Sequence, residues 1–293
     1  MNQHDHEIKN IRTKALLLCP DNDAEAHMIL LLAEKAGIET IRSSQPHGAR
    51  LEFEEDVEEK VRATGKNRLW IVEIPGPDTE RRLKDHGIQI TIIDHHTYGS
   101  LDRLSDPISG KKKPSSLEQF LEVAHIEDRE MKEWGFDPYL VRGIGIMDAR
   151  FIEGLREEGY TRDEIKHTLR FSEKLIQEVN PLWKHTMARA EEEWGRRTRE
   201  GSYLVIRSQY GGEIRGALSY CAAADNQDTV PTIISVDNGE GISVQNISFS
   251  IVERLKRAFP EASYTFGSGR CWGVSNRNRE VKVTINDILC ALL

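Results

Sequence analysis

Cysteine is scarce and scattered. The 293 residues hold Cys19, Cys221, Cys271 and Cys290, with no C-x-x-C pair among them. That excludes a disulfide framework and a zinc ribbon, and fits a reducing compartment. Long apolar runs are missing too. None approaches the roughly 20 residues that span a bilayer, and the opening MNQHDHEIKNIRTK lacks the apolar stretch of a signal peptide. A cytoplasmic protein without membrane association is expected. Nor is there an excess of positive charge: 40 Lys and Arg stand against 48 Asp and Glu, a net charge of -8. A chain that held long duplex DNA by its general field would be basic, so a nucleic-acid substrate has to be short and gripped locally. Internal repeats and low-complexity tracts are absent.

What is present is soluble globular composition, 38% hydrophobic and 30% charged, in a length suited to two ordinary domains. ALLLC (Ala15–Cys19) reads as a buried strand running into the turn Pro-Asp-Asn-Asp, followed by a helix from Ala24 to Ala36 stopped by Gly37. Further strands are expected at Gly37–Arg42, Leu69–Ile74 and Ile88–Asp94, and helices at Leu51–Thr64, Asp78–His86, Ser115–Ala124 and Pro138–Met147. Alternation of this kind predicts a doubly wound parallel sheet with helices on both faces. Residues 1–160 form this first domain. Residues 161–199 read as a helical connector interrupted near Pro181, and residues 200–293, with YLVIRS, TIISVDN, GISVQNISFS and a helix at Ile251–Ala258, as a smaller α/β domain. The Lys111–Lys113 run reads as a solvated charge cluster.

Carboxylates and histidines recur where the strands end. Asp21 and Asp23 follow the first strand, Glu73 closes the third, Asp94-His95-His96 closes the fourth, and Asp148 follows an apolar helix in GIGIMDARF. Parallel sheets bind ligands at the carboxyl ends of their strands, so these groups can converge. Each taken alone has a plainer reading: an Asp after a strand is often a helix N-cap, and His-His is often surface decoration. Their joint occurrence in this order argues for a divalent-metal centre of oxygen and imidazole ligands. Manganese suits that set, with zinc and magnesium as alternatives. Two ions roughly 3.5–4 Å apart clamp the attacking and leaving oxygens of an in-line phosphoryl displacement.

The run IIDHH (Ile92–His96) resembles the signature of the DHH phosphoesterases. PDNDA (Pro20–Ala24) is similar to that family's first motif, GIGIMDARF to its fourth, and PSSLEQF (Pro114–Phe120) to the Ser-Ser helix start that follows the signature. YLVIRS, GALSYCAAA, TIISVDN and FGSGRCWG (Phe266–Gly273) resemble the family's C-terminal domain, in its oligoribonuclease and cyclic-dinucleotide phosphodiesterase branch. The resemblance implies two metal ions held by Asp21, Asp23, Glu73, His95 and Asp148. It implies His96 facing the substrate phosphate, Asp94 orienting a neighbouring histidine, and a metal-activated water as nucleophile. Gly267, Ser268, Gly269 and Arg270, with Ser115 and Ser116, would contact the substrate. That substrate is expected to be a short single-stranded RNA or DNA or a small nucleotide, cyclic dinucleotides included, and a homodimer is one expected assembly.

The chain departs from the family at several points. Leu18 stands where many members carry a His, and Cys19 where the RecJ branch carries an Asp. Cys19 reads as a small buried hydrophobe in preference to a zinc-favouring thiolate. Glu73 replaces the second-motif Asp, Arg270 replaces the His closing the glycine-rich loop, and ISFS (Ile247–Ser250) replaces the usual Arg-Ser. Two alternatives follow: a degenerate member that binds a nucleotide without hydrolysing it, and an inorganic-pyrophosphatase-like hydrolase. Glu25 and His27 read as exposed helix residues in preference to an added ligand or a contact supporting one, Trp272 as either a base-stacking or a core side chain, and Asp225–Asp228 as a surface turn.

Overall fold

The computed structural model describes residues 3–46, 48–98, 100–261, 263–266 and 269–292, with side chains from residue 6 onward. The chain divides into two compact units, Met1–Asn180 and Pro181–Leu293.

The first unit runs α1 (Gln3–Lys14), β1 (Ala15–Pro20), α2 (Ala24–Lys35), β2 (Glu39–Ser43), α3 (Val57–Ala63), β3 (Arg68–Val72), α4 (Pro77–Asp85) and β4 (Gln89–Ile93). A two-stranded ribbon, β5 (Thr97–Tyr98) and β6 (Leu101–Asp102), follows, then α5 (Ser116–Val123), α6 (Asp128–Glu133), α7 (Pro138–Glu157) and α8 (Arg162–Val179). The sheet order is β2-β1-β3-β4, every pair parallel. Side chains alternate across a strand, and the alternation is visible in the packing. Leu17, Trp70 and Val72 enter a core with α2, α5 and α7, while Leu16, Leu18, Leu69 and Ile71 enter a second core with Leu51, Val57, Val61 and Leu83. The sheet is therefore doubly wound, as the sequence predicts. β1 connects outward to β2, and the next strand in sequence, β3, lies on β1's other side. Such a topological switch point is where open α/β sheets bind ligands.

One element differs from expectation. Leu51–Thr64 is not a single helix: a short 3-10 turn at Leu51–Phe53 precedes α3, and Asp56 between them has φ 53. Glu54 is drawn out of the helical path by hydrogen bonds from Ser43 Oγ and Gln45 Nε2. The periodicity of the segment is real, but a tertiary hydrogen-bond pair breaks its middle.

The second unit contains α9 (Trp183–Gly195), β7 (Thr198–Glu200), β8 (Tyr203–Arg207), α10 (Ile214–Ala224), β9 (Thr232–Val236), β10 (Gly241–Gln245), α11 (Phe249–Ala258), β11 (Ser263–Phe266), β12 (Cys271–Ser275) and α12 (Ile285–Leu292). Its sheet is ordered β11-β12-β10-β9-β8-β7, with β8 and β9 parallel and the other pairs antiparallel. The division at Asn180–Pro181 falls inside the span 161–199 read as a connector. α8 packs on α2 and α7 of the first unit, and α9 on α10 of the second.

Candidate metal centre

The carboxyl ends of β3 and β4 and the middle of α7 bring the candidate ligands together. β3 ends at Val72, and Glu73 follows with φ 50, a left-handed conformation uncommon outside glycine and often held at functional sites. Its amide still donates to the Ile93 carbonyl at 3.1 Å, so strand pairing fixes the backbone from which the carboxylate leaves. β4 delivers Asp94, His95 and His96. Gln119 of α5 grips the Asp94 peptide on both sides, Nε2 donating to its carbonyl at 3.1 Å and Oε1 accepting from its amide at 3.3 Å. Asp94 is buried and holds His96: Oδ1 accepts from the His96 amide at 3.0 Å, lies 3.2 Å from Nδ1, and accepts from the Tyr98 hydroxyl at 3.3 Å.

Asp148 is carried on α7, three residues before Phe151, whose φ of 52 breaks the helix. The glycines of GIGIM let α7 approach its neighbours. A methyl at Gly143 would stand 2.7 Å from Cγ2 of Thr168 on α8, and one at Gly145 would run into the Ser115 hydroxyl at the start of α5.

Glu73, His95, His96 and Asp148 each offer a ligand atom, all within 4.8 Å of one another. His95 Nε2 lies 2.8 Å from Asp148 Oδ2, 3.4 Å from Glu73 Oε1 and 3.7 Å from Glu25 Oε2, and His96 Nδ1 is 3.7 Å from Glu73 Oε1. Asp21 and Asp23 stand outside this group. Asp21 is turned to His27 Nδ1 at 2.8 Å and to Arg42 at 3.3 Å. Asp23 caps α2, accepting from the Ala26 amide at 2.8 Å, while remaining close enough to feel the charges of Asp148 and Glu73.

Glu25 and His27 correct the sequence reading, for neither is exposed. Glu25 is 2% exposed. Its Oε1 accepts from the Leu117 amide at 2.9 Å, tying α2 to the first turn of α5, and its Oε2 faces His95. The signal was in the sequence: AEAHMILLLA is apolar nearly all round, and a helix of that kind is enclosed on every side. Lys113 was also missed. Its Nζ approaches the Asp94 carbonyl at 3.5 Å, and its backbone amide is fixed on the Leu104 carbonyl at 2.8 Å. One member of the supposed solvated run is thus a cation beside the acidic group. Cys19 does behave as a buried hydrophobe: its thiol donates to the Pro20 and Ala26 carbonyls, and burial, then the charge of Glu73, pushes its pKa well up.

The electrostatics are those of acids held too close. Burial, then Asp148 and Glu73, raises Asp23 to about 7, and burial with Asp148 lifts Glu25 well above its usual range. Glu73 stays low: burial opposes its charge, but the nearby His95 and His96 imidazoles outweigh burial. For His95, burial disfavours the cation, yet contact with Asp148, Glu25 and Glu73 pushes it up to about 12. An imidazolium therefore sits among the carboxylates. Two carboxylate oxygens, Glu73 Oε1 and Glu25 Oε2, are buried with only imidazole nitrogens at 3.4–3.7 Å facing them among the residues named above, a poorly satisfied state for buried polar atoms. Poorly satisfied carboxylate oxygens beside imidazole nitrogens are a donor set that fits a divalent cation.

The other residues singled out fall less simply. Gly267 and Ser268 lie outside the described residues. The Gly269 amide is spent on the Phe266 carbonyl at 3.1 Å, with φ 78 closing the turn. The Arg270 guanidinium lies 5.5 Å over the Phe249 ring. Ser115 and Ser116 are fully buried. Ser115 forms a capping box with Glu118, and the Ser116 hydroxyl stands close enough to Glu73 to help lower its pKa. Trp272, 0% exposed and packed on Phe259, is a core residue. Asp225 in the expected surface turn ends α10 and accepts from Trp194 Nε1 at 2.7 Å.

Among solved structures, a DHH domain described as a member of a family of ribosomal proteins aligns over 97% of this chain and 86% of its own, with TM-score 0.50 and 13% identity. The chain has the DHH-domain fold. Exonuclease RecJ bound to manganese aligns over 93% of this chain and 89% of its own at TM-score 0.42 and 12% identity. The pGpG-specific phosphodiesterase PggH from Vibrio cholerae aligns over 96% of both chains at TM-score 0.41 and 10% identity. No protein-family model and no curated protein matches the sequence. Within this DHH fold, the Glu73–His95–His96–Asp148 group lies at the carboxyl end of the parallel sheet, and no described helix is long and apolar enough to cross a membrane.

Proposed function

We propose that this DHH-fold chain is a metal-dependent phosphoesterase that hydrolyses phosphodiester bonds in short oligonucleotides or small nucleotides, cyclic dinucleotides included. The observation that carries the reading is the convergence of Glu73, His95, His96 and Asp148 within 4.8 Å at the sheet's carboxyl end. Glu73, His95 and Asp148 would hold divalent metal, manganese by preference, with Asp23 and Asp21 as the further carboxylates of a two-ion site. A bound divalent ion supplies Lewis acidity toward the phosphoryl oxygens and lowers the pKa of the attacking water. The chain's own residues do the rest. Asp94 fixes the His96 ring through Oδ1, so His96 presents its other nitrogen to the phosphate or leaving oxygen. Lys113 adds positive charge for the substrate's phosphates. In the second unit, Arg270 is the residue that binds a substrate phosphate, through its guanidinium fork.

The test is hydrolysis by chelator-stripped protein after addition of manganese, magnesium or zinc. Substrates are a dinucleotide, a five-nucleotide RNA, a cyclic dinucleotide, 3′-phosphoadenosine phosphate and pyrophosphate. Release of mononucleotide with one of these metals is expected. The pairing of Asp21 with His27 and Arg42 favours a second reading, a chain that binds a nucleotide without cleaving it. Tight binding with every substrate intact would establish that reading instead.

A further inference from the structure

Glu25 stands in the first turn of α2, two residues after the capping Asp23. Of the carboxylates around His95 it is the most deeply buried: its side chain is 1% exposed, against 9% for Glu73 and 27% for Asp148. Burial of that degree is costly unless both oxygens are partnered. One is. Oε1 accepts from the Leu117 amide at 2.9 Å, a first-turn amide of α5 that no carbonyl of that helix can reach. This bond holds one end of the carboxylate and leaves Oε2 aimed at His95 Nε2, 3.7 Å away. That separation is beyond the roughly 2.7–3.2 Å of an N–H···O bond, and Oε2 is buried and otherwise unpartnered.

Three carboxylates meet at that one nitrogen, Asp148 Oδ2 at 2.8 Å, Glu73 Oε1 at 3.4 Å and Glu25 Oε2 at 3.7 Å. A single N–H points well at one acceptor, and Asp148 has it. The other two face Nε2 without a hydrogen of their own. A divalent ion in place of that proton can be shared by all three. Donors about 2.1 Å from one ion stand about 3.0 Å apart at right angles, about 3.4 Å at the tetrahedral angle and about 4.2 Å when opposite. The 3.4 and 3.7 Å separations are therefore ones that two ligands of the same ion keep.

An orienting role fits Glu25 less well. A carboxylate that orients a metal-bound histidine takes the N–H of the ring's other nitrogen, whereas Glu25 faces Nε2, the nitrogen that Asp148 and Glu73 also face. Glu25 lies outside the four residues whose donor atoms are all within 4.8 Å of one another, and meets them at His95. β1 offers no donor in its stead. Leu18 is apolar, and the Cys19 thiol is spent on the Pro20 and Ala26 carbonyls.

Resting on the metal reading above, we propose that Glu25 is a further protein ligand, which holds through Oε2 the ion that His95, Glu73 and Asp148 hold. That ion then has four protein donors, three carboxylates and one imidazole, an oxygen-rich set that suits manganese.

The experiment is titration of the full-length, chelator-stripped protein with manganese, the free ion counted by its electron paramagnetic resonance. A parallel titration uses cobalt(II), whose visible absorption reports the donors bound to it. The variants are Glu25→Gln, which keeps an acceptor for the Leu117 amide, and Glu25→Asp, which keeps the charge but draws it back by one methylene. Both are shown folded by circular dichroism. Loss of a residue that only supports a ligand costs about 10–100-fold in metal affinity. For the first equivalent of ion, Glu25→Gln should lose about a hundredfold or more and alter the cobalt spectrum, and Glu25→Asp should lose about tenfold or more. A smaller loss in Glu25→Gln or an unchanged cobalt spectrum would overturn the proposal. So would full affinity in Glu25→Asp, the mark of a charge acting at a distance. If the parent protein takes up no ion, the metal reading fails and this proposal with it. If the parent binds and the variants bind alike, this proposal alone fails.

Discussion

At the scale of single residues, the site is a set of charges placed against their own preference. His95 holds its proton to about pH 12 because carboxylates surround it, and a metal ligand must give that proton up. Manganese binding at pH 8 should therefore release about one proton, read from the buffer dependence of the calorimetric enthalpy, and affinity should tighten as pH rises. Zero proton release would place the ion elsewhere. Glu25 carries the complementary prediction. Burial raises its folded pKa above the ordinary 4.5, so its contribution favours folding below that value and is lost as pH rises through the folded pKa. Glu25→Gln keeps an acceptor for the Leu117 amide and removes the charge. It should stabilise the metal-free protein at neutral pH by on the order of 1–3 kcal/mol, by a margin that vanishes in acid, and it should weaken metal binding. Chemical denaturation at two pH values measures the first effect and titration with manganese the second. For turnover, Asp148→Ala should abolish hydrolysis. Arg270→Ala should chiefly raise KM, more for a longer oligonucleotide than for a dinucleotide, the signature of lost uniform binding. A large fall in kcat with KM untouched would instead put Arg270 at the reacting phosphate.

At the scale of elements, close helix contacts position the candidate ligands. α7 carries Asp148 and meets α8 and α5 through Gly143 and Gly145. Gly143→Ala should cost about 1–3 kcal/mol through overpacking on Thr168. Thr168→Ser removes the methyl 2.7 Å from the added carbon and should recover part of that loss, which a double-mutant cycle in urea measures. α1 is held by another device. Arg12, 7% exposed, binds both carboxylate oxygens of Glu130 at 2.7 and 2.9 Å and donates to the carbonyls of Ala124 and His125. Arg12→Ala should destabilise the protein by about 2–3 kcal/mol. The Arg12 hydrogen bond lowers the Glu130 pKa. Its stabilisation is therefore present above the ordinary glutamate value and lost as pH falls through the lowered one. The variant's stability should accordingly fall less steeply between pH 6 and pH 3 than the parent's, with the pH limits about those of ordinary carboxylate titration.

At the scale of the whole molecule, two units with separate cores share one chain. A ligand that binds only folded protein stabilises the unit that holds it, by about 2.7 kcal/mol at a hundredfold excess over Kd. Calorimetric melting should show manganese raising the transition of the first unit and leaving that of the second in place, with the shift abolished in Asp148→Ala. A common shift of both transitions would mean that the units unfold as one. The sequence itself determined most of the architecture. Alternating apolar strands fix a two-faced parallel sheet, because the side-chain period of a strand is two. Turn acids after β1, β3 and β4 mark which end of the sheet carries the candidate ligands, because connections in such sheets run in one sense. Tertiary structure alone decided the rest. It divided the chain at Asn180, buried Glu25 against α5, brought Lys113 to Asp94, turned Asp21 to His27 and Arg42, and broke the helix expected at Leu51–Thr64. Each of these depends on side-chain contacts made in the folded chain, from six residues apart for Asp21 and His27 to 92 for Glu25 and Leu117, and a local pattern carries no information about which partner will claim a charged side chain.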